Sequence, residues 1–493
     1  MTDGGIANSL QVLRGGKVVR RILMVELWRL SALELSGMIA GKEVKPSEIM
    51  AAVLARIEKL NPKLNAFCTI TQDLAMAEAR RADNKMVQAK VNGKLFGLPV
   101  SIKDLIFTKG IRTTFASKMH ENFIPNQDGI VVERLKAAGA IIIGKTNSCE
   151  HGYKAVTDSP LWGITRNPWN SEMTPAGSIG GAGAAVASGM GPLALGSDGG
   201  GSTRAPASFC GIFGLKPSRG RIPMYPLLSG WETLDRRLAH YGPLTRTVAD
   251  AALMLEVMAG PDDRDPLSLP GGKLRYREEM KKGVQGLRIA WSRDLGHVVV
   301  DPVVREAVEK AARVFSKMGC VVEEATPEFP LMHDAFQLLF AADCAGAIGA
   351  QLDEWKGRLD PGLVRLTEIG LKASAVDYVR AVNRCHVLWE RLEPFFAKHD
   401  LLLTPTLPLL PFPAGIDWPR EVAGQKVHPL NYLGFTYPFN LTGQPAASLP
   451  CAWTADGLPI GVQIVAGRSD DLTVLKVAAA FEEARPWKDK WPD

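Results

Sequence analysis

The feature that most constrains this chain is residues 174–211, TPAGSIGGAGAAVASGMGPLALGSDGGGSTRAPASFCG, where two glycine-rich turns, each carrying a serine, flank an apolar segment. Glycine serves where backbone must take positive φ or come close to another group. Two such turns in one short stretch mark a place where backbone meets ligand. The first, Gly177-Ser178-Ile179-Gly180-Gly181, runs into a helix of small residues. The second, Asp198-Gly199-Gly200-Gly201-Ser202, follows an apolar strand over 192–196 and precedes Thr203-Arg204. One reading makes Ser202 a nucleophile with the glycine N–H groups as its oxyanion hole. The other makes both serines turn and N-cap residues, for which serine is favoured.

The rest of the chain supplies a frame for that stretch. Ser31 is placed to cap a helix ending before Gly41, and Pro46-Ser47 opens a second helix that Asn61-Pro62 should stop. Strands are expected at 66–71, 95–102 and 140–144, with helices at 73–90 and 128–138 between them. Strands alternating with helices at this spacing predict an α/β fold with a largely parallel, buried sheet. Ligands in such sheets sit beyond the strand C-termini. Lys103, Asn147 and Asp198 each follow a strand-like segment and are expected to converge there. Further on, residues 218–243 read as loop, 244–258 as a helix start and helix, 287–291 and 320–324 as strands around a helix at 301–318, and 332–400 as mostly helical. A strand at 401–403, a turn and strand over 457–465 and a closing helix at 472–484 complete the chain.

A serine alcohol needs an adjacent base to act as a nucleophile. The eight histidines are dispersed and none lies in either glycine turn; His151 is the nearest in sequence. The string Gly200-Gly201-Ser202-Thr203-Arg204 is no GxSxG elbow, which argues against an α/β-hydrolase triad. Lysine is the other candidate base. Its pKa of about 10.4 must fall by about two units, roughly 2.7 kcal/mol, for it to be neutral near pH 8. Lys103, set behind Leu98, Pro99, Val100 and Ile102, has apolar surroundings suited to that, although a lysine at a strand end is more often a surface charge. Cys149 with Glu150 or His151 is a competing nucleophile set. Asp198 and Arg204 flank Ser202 as braces of the loop.

Taken together, the strings GLPVSIKD, GKTN, GITRNPWN, TPAGSIGGAGAAVASG, GSDGGGSTRAPASFCGIFGLKPSRG, GPLTRTVADAALML and TGQPAASLP…GLPIGVQIV resemble the amidase signature family, in order, from about residue 28 to 485. The resemblance implies a large mixed, mostly parallel twisted sheet covered by helices on both faces. It implies one amidase domain over 26–490 behind an N-terminal extension of residues 1–25. It further implies a Ser–cis-Ser–Lys triad: Ser202 as nucleophile, Ser178 as proton relay on a cis peptide bond, and Lys103 as base. Gly199, Gly200 and Gly201, with the Ser202 N–H, would bind the oxyanion. Gly152, Tyr153 and Gly177 would contact substrate, and loop 221–236 with the helical part 332–385 would form the mouth. The first turn departs from the family, with Ile179 and Ala182 where relatives carry serines. Ile179 is expected either to lower the pKa of Lys103 by desolvation or to leave that lysine less well oriented.

Composition narrows the partners. Seven scattered cysteines with no CxxC pair argue against a zinc ribbon or disulfide framework and for reduced thiols in a cytoplasmic protein. A net charge of +6 is small, and Arg14, Lys17, Arg20 and Arg21 in a Gly-rich leader carry much of it, so neither nucleic acid nor a membrane is an expected partner. No continuous apolar run reaches the ~18–20 residues of a membrane helix. The expected ligand is a small amide, anilide, ester or carbamate, apolar or aryl. The chain would be a monomer or homodimer with no metal and no cofactor. The alternative is the glutamine-hydrolysing subunit of a tRNA-dependent amidotransferase, which belongs to the same family.

Overall fold

The computed structural model describes residues 26–88, 92–226, 238–271 and 275–492. The N-terminal extension, and positions 227–236 of the expected mouth loop, lie outside the described residues.

The strands that carry the site open on apolar residues and are buried on both faces, their polar residues falling at or near the C-terminal ends. They belong to one 11-stranded sheet built from β1 (Phe67–Ile70), β2 (Pro99–Lys103), β3 (Ile141–Thr146), β4 (Leu193–Asp198), β5 (Phe213–Lys216), β6 (His240–Thr245), β7 (Arg288–Trp291), β8 (Val321–Glu324), β9 (Leu401–Pro405), β12 (Ala446–Trp453) and β13 (Pro459–Ala466). β10 (Glu421–Val422) and β11 (Gln425–Lys426) make a separate ribbon. The spatial order is β1-β3-β2-β4-β6-β5-β12-β13-β9-β7-β8. Parallel pairing fills two blocks, β3-β2-β4 and β9-β7-β8. The expected alternation of strand and helix is what produces them. Between the blocks, β4-β6-β5-β12-β13-β9 is antiparallel, as is the β1 edge.

Because side chains alternate along a strand, neighbouring residues feed opposite faces. Leu193, Leu195, Leu401 and Leu403 join the large core that also holds helices Val248–Met258, Pro302–Lys317 and Asp471–Ala484. Ala194 faces the small-residue cluster of helices Gly180–Ala187 and Arg204–Cys210, and Leu402 faces the core built on helices His333–Ile348 and Ala375–Lys398. Both faces of the sheet are therefore covered by helices, as expected.

Local signals fared well where capping chemistry is explicit. Ser31 caps Ala32–Ala40 through a capping box with Glu34. The second helix does not stop at Asn61-Pro62: it runs from Pro46 to Leu64, with Pro62 inside it and Asn65 ending it in a left-handed conformation. Proline in the last turn removes one intrahelical bond, and burial of Leu64 carries the helix past it. The stretch read as loop over 218–243 contains the start of β6, and β5 and β12 were not expected as strands. One helical stretch, His333–Trp355, has the length and mean hydropathy of a membrane span. Here Phe336, Leu339, Ala341 and Cys344 are buried, and its first helix packs against helices Pro361–Lys372 and Ala375–Lys398.

Candidate active site

Parallel pairing of β2 with β4 sets Ile102 opposite Leu195, so Lys103 and Ser197, just beyond that pair, emerge side by side at the C-terminal ends of the two strands. Lys103 is 1% exposed. Its Nζ donates to Ser178 Oγ at 2.6 Å, to Ser197 Oγ at 3.0 Å and to the Ser197 carbonyl at 3.4 Å. Ser178 follows a cis Gly177–Ser178 peptide bond, and its Oγ lies 2.9 Å from Ser202 Oγ. The three side chains singled out from sequence thus form one hydrogen-bonded line, Lys103–Ser178–Ser202. Ser197 was not singled out; the register of two adjacent parallel strands was the signal that would have found it.

The second glycine turn is shaped by a buried ion pair. Asp198 accepts from the Gly201 N–H at 2.7 Å, the Thr203 N–H at 3.2 Å, and Arg204 Nε and Nη2 at 3.0 and 2.9 Å. Burial by itself would raise the Asp198 pKa, but the Arg204 charge and the hydrogen bonds from Arg204 and Asn440 outweigh it and hold the carboxyl well below the usual range. Arg204, fully buried, also reaches the Thr436 carbonyl at 2.9 Å, Gln463 Oε1 at 2.8 Å and Asn440 Oδ1 at 2.6 Å. The brace expected of Asp198 and Arg204 therefore extends to distant parts of the chain. It also modifies the expected oxyanion hole. Gly201, at φ +135°, spends its N–H on Asp198 and turns its Cα toward Thr436. The N–H groups of Gly199, Gly200 and Ser202 donate to no described group and remain for a ligand.

Ile179 is placed differently from the expectation. It is fully buried among Ala182, Val186, Ala194, Ala207, Cys210 and Leu244, and a Cβ on Gly196 would collide with its Cδ1. The hydroxyl that holds the lysine is that of Ser197. Asn147 does not converge on the site; its amide braces Thr165 Oγ1 at 3.0 Å. The Cys149 thiol is buried, donates to the Lys154 carbonyl at 3.1 Å, and is pushed up by burial to about 12. That is no nucleophile near neutral pH. His151 is pushed down to about 3 by burial and by His120 beside it.

Two adjoining cavities meet at Ser202. The larger, of about 350 Å³, has apolar walls from Phe336, Phe340, Leu366, Ile369, Leu430 and Leu433, and a charged edge at Lys154, Arg365 and Asp417. The smaller, of about 30 Å³, lies against Lys103, Ser178, Ser197 and His151, and shares Gly152, Gly199, Ser202 and Phe340 with the larger. Gly152, at φ +72°, lines both; a Cβ there would stand 3.4 Å from Ser178 Oγ. Tyr153 lines the larger cavity, but its hydroxyl donates to Asp360 at 2.6 Å; burial and Asp360 push its pKa up. Asp360 also pairs with Lys154, which meets Asp158 and Asp417 as well. Gly177 lines neither cavity: its Cα faces the Val156 backbone, 2.5 Å from a hypothetical Cβ. Of the expected mouth, helices within 332–385 do form a wall. Residues 221–226 do not: Arg221 pairs with Asp471 at 2.9 Å, and Ile222 and Met224 enter the main core. The opposite wall, from Asp417 to Leu433, was not anticipated because that proline-rich segment has no periodicity to read.

A model of the Amidase family matches residues 48–475. The chain belongs to the amidase family. Among curated relatives of this amidase, the acylamidase of Rhodococcus erythropolis is 38% identical over 470 residues, 94% of this chain and 97% of that protein. A glutamyl-tRNA(Gln) amidotransferase subunit from Sulfurihydrogenibium sp. (strain YO3AOP1) is 34% identical over 95% of this chain and 100% of that protein. A crystal structure of a bacterial aryl acylamidase of the amidase signature family matches with a TM-score of 0.88 at 30% identity, over 94% of this amidase and 97% of that chain. The family, the α/β fold and the class of hydrolase acting on carbon–nitrogen bonds are those the motifs implied.

Proposed function

We propose that this amidase cleaves small apolar or aryl amides through an acyl-enzyme on Ser202. The observation that carries the reading is the unbroken line from Lys103 Nζ to Ser178 Oγ at 2.6 Å and from there to Ser202 Oγ at 2.9 Å. In this mechanism Ser202 Oγ attacks the carbonyl carbon. Its proton passes to Ser178 Oγ as the Ser178 proton passes to a neutral Lys103 Nζ, the hydroxyl rotors reorienting to do so. The oxyanion forms facing the N–H groups of Gly199, Gly200 and Ser202; each such donor is worth about 2.7–4 kcal/mol in a transition state. The proton then returns through Ser178 to the leaving nitrogen as the C–N bond breaks. Burial of Lys103 and Ser178, each 1% exposed, keeps bulk water off the relay.

The substrate class follows from the larger cavity. Its volume of about 350 Å³ lies at the small end of ligand sites, and its walls are aromatic and aliphatic. That favours an anilide, aryl amide or aryl carbamate, whose ring would cover those walls, and it accords with acylamidase relatives. The same reading takes the chain as a cytoplasmic monomer or homodimer with one amidase domain over 26–490. Labelling by a fluorophosphonate that is lost in Ser202→Ala, together with turnover of p-nitroanilides by the purified chain alone, is the expected result. Glutamine hydrolysis appearing only with partner subunits would replace this reading with the amidotransferase one.

A further inference from the structure

The two cavities at Ser202 meet in a narrow ring of residues. Among the described residues, Gly152, Gly199, Ser202 and Phe340 line both. Two of these have no side chain and Ser202 is the proposed nucleophile, so the Phe340 ring is the bulky group at the junction. It stands on helix His333–Ile348, one turn after Phe336. The two rings stack with centroids 5.3 Å apart and planes 20° from parallel, and Phe336, 4% exposed, rests in turn on Tyr437 at 4.7 Å. The second glycine turn lies against both rings: a Cβ on Gly200 would come to 2.8 Å from Phe336 Cζ, and one on Gly199 to 3.9 Å from Phe340 Cε2. Phe340 also packs against two hydrophobic clusters, one around Phe336 and Tyr437 and one around Tyr153 and Leu363. The ring at the junction is therefore held from several sides.

The carbonyl that Ser202 attacks carries two groups, one on the acyl side and one on nitrogen. The spaces that receive them are unequal, about 350 Å³ and about 30 Å³. At the ~10–15 Å³ that one water-sized group needs, the smaller has room for about two. A methyl or ethyl group fits there and an aryl ring does not. A substrate whose ring fills the larger cavity has its other group turned toward the junction, where it meets Phe340.

We propose that Phe340 is a specificity-determining residue. Its ring limits the group on the far side of the scissile carbonyl to about the size of a methyl, so this amidase takes amides with one bulky apolar substituent and one small one. The inference rests on the acyl-enzyme reading above and narrows its substrate class. In an anilide the aryl ring takes the larger cavity, and the acyl chain is the group that Phe340 limits. An apolar chain that found room would gain about fourfold in kcat/KM per methylene from burial. A chain that meets a fixed ring loses instead, by about tenfold or more for a methylene that does not fit.

The test is a series of p-nitroanilides with acetyl, butyryl and hexanoyl groups, read as ratios of kcat/KM within each enzyme so that general damage cancels. In the wild type, acetyl should exceed butyryl by about tenfold or more, with hexanoyl lower still. In Phe340→Ala the junction opens and the order should level or reverse. Phe340→Leu, expected between the two, repeats the measurement if the Ala variant does not fold. Leu366→Ala is the comparison: Leu366 lines only the larger cavity, so its loss should lower the whole series and keep the wild-type order. A wild-type series that is flat or rises with chain length, an unchanged order in the Phe340 variants, or the same levelling in Leu366→Ala would overturn the proposal. Ser202-dependent fluorophosphonate labelling reports the acyl-enzyme reading separately. Its absence from the wild type would sink that reading, whereas labelling together with a flat acyl series would remove only the role of Phe340.

Discussion

Ile179→Ser puts a serine next to Ser178, the proposed relay, and the resemblance to the family implies that it should repair the site. The structure predicts that it damages the protein and leaves the chemistry alone. Ile179 is fully buried in a cluster of small side chains, and the missing side chain at Gly196 is what admits its Cδ1. Truncation empties that space and puts a hydroxyl in it. Removing a buried isoleucine costs about 2–5 kcal/mol, and an unpartnered hydroxyl adds to it, so about 4 kcal/mol is expected. For 493 residues, an unfolding entropy of about 2.1 cal/mol/K per residue sums to about 1 kcal/mol/K, so Tm should fall by about 4 °C. The assay is thermal unfolding beside a pH–rate profile for one p-nitroanilide below Tm. Loss of Tm with an unmoved profile is the expected pair. An unchanged Tm with a displaced profile would mean that position 179 acts on Lys103 after all, and the placement argued here would be wrong.

Arg204→Met leaves the Asp198 carboxylate buried without its partner, so it should cost about 3–5 kcal/mol and abolish activity, read by soluble yield and Tm. Tyr153→Phe removes a buried donor to Asp360 and should cost about 1.5–3 kcal/mol in stability while leaving KM for an anilide unchanged, because the hydroxyl faces Asp360. Glu482, half-buried on the closing helix, has its carboxyl raised to about 7 by burial and by Asp250, while its Oε2 accepts the Val248 N–H at 3.0 Å. A raised folded pKa favours the folded state below the unfolded value near 4.5, and that contribution is lost as pH rises through about 7. Glu482→Gln keeps the hydrogen bond and does not titrate. It should therefore gain about 1–2 kcal/mol over wild type at pH 8 and nothing at pH 4, by Tm at the two pH values.

What the sequence made legible followed the reach of its signals. The helix opened by Ser31 and the strands ending in Lys103 and Asp198 were readable because a cap, a turn and an apolar run are local events. The line Lys103–Ser178–Ser202 was reached only through motif order, since nothing local ties residues 75 and 24 positions apart. Ser197 and the loss of the Gly201 N–H to Asp198 depend on strand register and on a loop wrapped around one carboxylate, which no periodicity encodes. β5, β6 and β12 escaped notice because glycine, proline and serine interrupt their apolar patterns, and burial in the middle of a sheet overrides those weak propensities. Ile179 misled for a related reason: its neighbour in the chain is the proposed relay, Ser178, but its neighbours in space belong to a buried small-residue cluster.

The guanidinium of Arg204 has a consequence for when this enzyme becomes an enzyme. One of its acceptors, Gln463, is synthesised 259 residues after it. Until that last hairpin has been made and inserted, the charged pair beneath the Ser202 loop cannot be fully enclosed, and the loop lacks part of its brace. A chain emerging from the ribosome, or one clipped ahead of β13, is thus unarmed even though every residue of the proposed triad is already in it. Hydrolytic competence is expected to arrive with the final strand, and loss of that strand, far from Ser202 in the chain, to revoke it.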